Sequence, residues 1–163
     1  ICYELLDHFD TLFKARIKDP EVRERTVMGA VFFAFLHEMG HMLVHQLELP
    51  VTGKEEDAVD QLASVILISS GSSGVQMALD GARAFLLHSK KGFSGTEYWD
   101  EHSFEEQRYY SILCLAYGAQ PKKLKHVVGT KGGLPAERAK TCSAEFVRIR
   151  KAWQTLLAPH AKQ

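Results

Sequence analysis

Apolar residues recur at helical spacing through most of this chain, and strand-like alternation is scarce. The longest pattern runs from Glu21 to Leu47 without a proline, and Val27, Ala30, Val31, Ala34, Phe35, Met39 and Met42 return on the helical period. Asp19 is placed to cap its start, Pro20 suits the first helical position, and Pro50 closes the pattern. An apparent helix from Ile1 to Ile17 precedes it, so the chain opens inside a helix and an upstream segment is expected to be missing.

After the turn Leu49 to Lys54, a second apolar helix is expected from Glu55 to Ile68, ending in Ser69-Ser70-Gly71-Ser72-Ser73-Gly74, which reads as a flexible break. Val75 to His88 restarts the helical period, and Lys90 to Tyr98, with Gly92 and Gly95, reads as a loop. Ser103-Phe104-Glu105-Glu106 has the form of a capping box opening a helix that Gly118 would end. Beyond a loop at Gly129 to Gly133, a last helix presents Phe146, Ile149, Trp153, Leu156 and Leu157 as a core stripe before Pro159. The pattern predicts a mainly α fold, a single compact helical domain over residues 1–163 with little or no β-sheet. Phe32, Phe33 and Phe35 read as core packing around the long helix.

Charge narrows the range of partners. Twenty Lys and Arg balance twenty Asp and Glu, so no net field draws nucleic acid or an anionic membrane. The one basic cluster, Lys122, Lys123 and Lys125, reads as a solvated helix face. No membrane span is expected, because Glu38 and the neighbouring histidines interrupt the strongest apolar run.

Those interruptions carry the chemistry. His37-Glu38-Met39-Gly40-His41 is an HExxH string, and on a helix residues four apart lie one turn apart on one face. His37 and His41 can therefore bind one Zn²⁺ ion while Glu38 stands beside them as general base. A catalytic zinc needs a third protein ligand and an open position for water. A short connection makes the next helix an antiparallel neighbour, so its acidic start, Glu55-Glu56-Asp57, returns toward the histidines. Glu56 is the first candidate ligand, with Asp60 four residues on accepting the other ring N–H of a ligating histidine. Asp57 competes with Glu56, and Glu55 stands behind both. The plain alternative is that acidic residues enrich a helix's first turn because they favour its dipole.

The remaining histidines fit less well. His45 lies eight residues from His37, too far along the axis to share one ion. His8, His88, His126 and His160 have no acidic or histidine partner at ligand spacing.

The stretch FLHEMGHMLVHQLELPVTGKEEDAVDQLASVIL, residues 35–67, resembles the bacterial "putative metallopeptidase" family long carried as a domain of unknown function. Trp99 to Arg108, Ile112 to Gly118, and Leu134 to Arg138 before Cys142 match it as well. The resemblance implies a zinc-dependent peptidase of gluzincin type, acting on peptides or proteins and exported to the periplasm or beyond. The Glu56…Asp60 spacing is similar to that of thermolysin-like gluzincins, where the Glu is a ligand and the Asp supports a ligating His. His102, at a helix start beside Tyr98, Trp99, Asp100 and Glu101, is the first candidate for stabilising the oxyanion, with Tyr109 and Arg108 behind it. Other readings are a metal-binding regulatory or interaction module without turnover, and a plain helical domain whose HExxH is coincidental.

Cys2, Cys114 and Cys142 allow one internal disulfide and leave one thiol over. Cys114 is either a small buried residue of an apolar helix or the partner of Cys142, and the export implied by the family favours the bridge.

Overall fold

The structure is a computed structural model and describes residues 2–89 and 103–161. Six α-helices account for the architecture: α1 (Tyr3–Lys14), α2 (Pro20–Gln46), α3 (Glu55–Ser69), α4 (Ser72–His88), α5 (Glu105–Ala119) and α6 (Ala136–Leu157). Among the described residues there is no strand, only an isolated bridge between Val128 and Leu134. The mainly α expectation therefore holds.

Helix boundaries follow local chemistry. The Asp19 carboxylate accepts from the backbone N–H groups of Glu21 and Val22, and Pro20 occupies the first turn of α2. Two expected boundaries move. The serine-rich break contracts to Ser70 and Gly71, the latter at φ 102°, and Ser72 to Gly74 already belong to α4. Gly118 lies inside α5 rather than ending it: a Cβ there would stand 2.2 Å from the Cys142 carbonyl oxygen, so glycine lets α5 lie against α6. Ser103 does not cap α5 either, since Phe104 holds the N-cap position and no side chain makes a capping hydrogen bond there. The lysine cluster occupies a turn and a short 3-10 helix, Lys125–Val127, instead of an α-helical face.

The largest core cluster joins α2 through α6, with Phe33, Ala63, Ala78, Ile112, Leu115 and Cys142 near its centre. A second cluster, built on Phe13, Val27 and Ala30, seats α1 on α2 and α4. A third places Trp153 of α6 against Val44, Val59 and Leu62 where α2 meets α3. Of the three phenylalanines assigned to the core, only Phe33 is there, at 2% exposed; Phe32 and Phe35 are 46% and 49% exposed. Successive residues turn by about 100° around a helix, so one packed face cannot hold all three. With Met28 and Met42 they mark an exposed apolar stripe. By length and composition α2, with a mean hydropathy of 1.5 in its most apolar window, is apolar enough to cross a membrane, so Glu38 and the histidines do not interrupt the run as expected. In the fold α2 packs on α1, α3 and α4, and core helices pass the same test.

Cys114 and Cys142 form a disulfide joining α5 to α6, which decides between the two readings of Cys114; Cys2 is free and exposed. The bridge closes a sequence separation of 28 residues, worth about 3.5 kcal/mol from the chain entropy removed from the unfolded state. Urea unfolding of a Cys114→Ser/Cys142→Ser double variant should show a loss of that order. An unchanged midpoint would mean the bridge adds nothing to stability.

Candidate metal centre

Close approach of α2 and α3 builds the site, and Gly40 permits it. A Cβ at Gly40 would stand 2.8 Å from Cβ of Val59, so a larger residue would force the helices apart. Contacts run in opposite order along the two helices, His37 to Asp60 and His41 to Glu55 and Glu56, so the helices are antiparallel. The acidic first turn of α3 thereby faces the HExxH turns of α2.

Three donors converge there. Nε2 of His37 and Nε2 of His41 lie 3.3 Å apart. Glu56 presents Oε2 at 3.2 Å from the first and Oε1 at 3.3 Å from the second. Tetrahedral bonds of about 2.0–2.1 Å require ligand atoms separated by about 3.3–3.4 Å, and each of these separations is close to that, with one Glu56 oxygen facing each imidazole. Within the described residues this is the group of His, Cys, Asp and Glu arranged to hold an ion.

The donor chemistry points the same way. Nδ1 of His37 is 2.8 Å from Oδ1 of Asp60, and Nδ1 of His41 is 2.7 Å from Oε1 of Glu55. Ionised carboxylates only accept, so both Nδ1 atoms donate, and each neutral ring keeps its Nε2 lone pair for the centre. Two lone pairs and a carboxylate facing one another call for a cation between them.

Asp60 is itself held. Arg108 donates from Nε to Oδ2 at 2.7 Å and from Nη2 to Oδ1 at 2.9 Å, with both side chains buried. Burial pushes the Asp60 pKa up, but the bonds from Arg108 and His37 outweigh it and leave the carboxyl below its ordinary value. Burial of His41 acts to lower its pKa, and the bond to Glu55 with the charges of Glu56, Glu55 and Glu38 raises it overall. Glu38 itself is exposed, on the helix that carries both histidines.

The other predicted residues are placed as follows. Asp57 turns aside and accepts from the Ser103 hydroxyl at 2.9 Å. Nε2 of the exposed His45 is 3.5 Å from Oε1 of Glu55, at the rim. Arg108 is engaged by Asp60 and lies with its guanidinium 3.8 Å over the Phe85 ring. The Tyr109 hydroxyl donates to the Gly132 carbonyl at 2.7 Å. His102, with Tyr98, Trp99, Asp100 and Glu101, lies outside the described residues.

Sequence reasoning missed three partnerships. Glu55 serves His41, Arg108 serves Asp60, and His88, without a partner at local spacing, pairs through Nδ1 with Glu105 at 2.6 Å. The first had a signal, since Glu55 adjoins the favoured ligand on an acidic turn. The others had none, since all three join residues on different helices, which the periodicity of one helix does not relate.

Glu55→Gln should weaken metal binding by about tenfold, the lower end of what such supporting groups contribute. Competition with a chromogenic chelator measures it; unchanged affinity would make the His41–Glu55 bond dispensable.

No curated protein and no solved structure matches the chain significantly. The model of the family described as "Putative metallopeptidase" matches residues 1–157, and the chain belongs to that family.

Proposed function

We propose that the chain is a zinc-dependent peptidase in which His37, His41 and Glu56 hold one zinc ion and Glu38 is the general base. The observation that carries this reading is the donor triangle itself, with each imidazole held from behind by a carboxylate and Glu38 on the same helix. A zinc ion there would supply Lewis acidity toward water and the peptide carbonyl. Glu38 takes a proton from the water as its oxygen attacks the carbonyl carbon, then delivers it to the nitrogen as the C–N bond breaks. Asp60 and Glu55 keep the two rings in register, and Arg108 keeps Asp60 ionised and in place. His102 has the proposed role of stabilising the oxyanion, which a His102→Ala variant tests through kcat.

Export from the cytoplasm is part of the proposal, and the Cys114–Cys142 bridge supports it because such bridges persist in oxidising compartments.

The test is metal-dependent turnover. Protein stripped by a chelator and reloaded with one equivalent of zinc should cleave a broad peptide mixture, and chelation should abolish the cleavage. Stoichiometric zinc with no cleavage would instead identify a metal-binding module without turnover. Failure to bind zinc would sink both readings.

A further inference from the structure

An apolar cavity of about 200 Å³ adjoins the metal centre, with His37 forming part of its wall. Phe33 and Ala34 of α2 line it together with Phe9 and Leu12 of α1 and Phe85 of α4. Besides His37 its polar residues are His8, His88 and Glu105, of which His8 and His88 are exposed, so the cavity has a wet edge and a mostly apolar lining. We propose that this cavity receives a large apolar side chain of the substrate, leucine, methionine or phenylalanine, next to the bond that is cut. The assignment rests on the peptidase reading above.

Three observations support it. Dry apolar cavities of about 150 Å³ hold a benzene ring, so about 200 Å³ suits a phenyl or isobutyl group. Ala34 stands one turn before His37 on α2, so a side chain seated against it stands within a turn's rise of a proposed zinc ligand. The wall is also tied to the site: Phe85 packs edge-on to Phe33 with centroids 5.9 Å apart, and Arg108 lies across Phe85 while gripping Asp60. Pocket and ligand cage thus share a framework.

The partly buried Ala34 is the place to fill the cavity, and Phe9 the place to widen it. Zinc-loaded wild type, Ala34→Phe and Phe9→Ala would be given the same mixture of protein-derived peptides, and the cut sites read by mass spectrometry. Wild type should cut with Leu, Met or Phe at one fixed position beside the scissile bond, favoured over Ala or Gly by at least about tenfold. Ala34→Phe should shift that preference toward Ala and Gly, and Phe9→Ala toward Trp. A readout independent of turnover is binding of phenylpropionamide to the metal-free proteins by NMR titration, expected for wild type and Phe9→Ala and lost in Ala34→Phe. Cleavage without apolar preference, a preference that neither variant moves, or no binding of the amide by wild type would each overturn the pocket. If wild type cleaves nothing, the peptidase reading falls and the substrate assignment with it, whatever the amide does. Circular dichroism verifies that each variant folds; should Ala34→Phe not fold, the Phe9→Ala shift decides.

Discussion

Replacing Glu38 by Gln is expected to lower kcat/KM for peptide cleavage by about 10³-fold, midway in the range of about 10²–10⁴ for a positioned acid–base group, with zinc still bound one-to-one. Gln keeps the shape of Glu but cannot take up a proton at neutral pH. Folding should be unaffected, because Glu38 is exposed and outside the donor triangle. The measurement pairs kcat/KM on zinc-loaded protein with metal content. Equal rates in the two proteins would remove Glu38 as the base, and loss of zinc in the variant would mean that the residue supports the cage.

The second large effect is on stability. Arg108→Met should destabilise the domain by about 4 kcal/mol, because removing one member of a buried pair leaves a charge without compensation. Met keeps the length of the arginine stem but not the guanidinium that lies over Phe85, so the loss combines the uncompensated Asp60 charge with the lost ring contact. The pH dependence separates the charge from the packing defect. In the wild type the Asp60 pKa lies below its ordinary value, so the stabilisation is present above the unfolded carboxylate pKa and is lost as pH falls through the folded one. The difference between wild type and variant should therefore be widest near neutrality and shrink in acid. A difference constant with pH would point to packing alone.

Much of this was readable from local patterns. The Asp19 cap, the length of α2 and the acidic opening of α3 all follow from residues within a few positions of one another. Around α3 the same geometry sorts the acidic residues: Glu56 and Asp60, four apart, share a face, while Glu55 and Asp57 turn to either side of Glu56. Glu55 thereby meets His41 and Asp57 meets Ser103. Which side faces α2 depends on how the two helices pack, and no repeat in the sequence encodes that. The Phe32 and Phe35 reading failed for a related reason. Apolar content marks a residue as able to be buried, and only the neighbours of a helix decide which face is covered. Ser103 shows the converse, a side chain suited to a local cap but taken by a carboxylate on another helix.

The spacing of these contacts along the chain also bears on how the domain assembles. His37 and His41 are four residues apart and His37 and Asp60 are 23 apart, whereas Arg108 reaches Asp60 across 48 residues. Closing the shorter loops costs less chain entropy. The α2–α3 hairpin can therefore form its donor triangle as a nascent unit before α5 has docked, with the arginine clamp and the Cys114–Cys142 bridge arriving later as latches. A chain interrupted before α5 would carry every proposed metal donor and the His37 bond to Asp60, but not the arginine clamp.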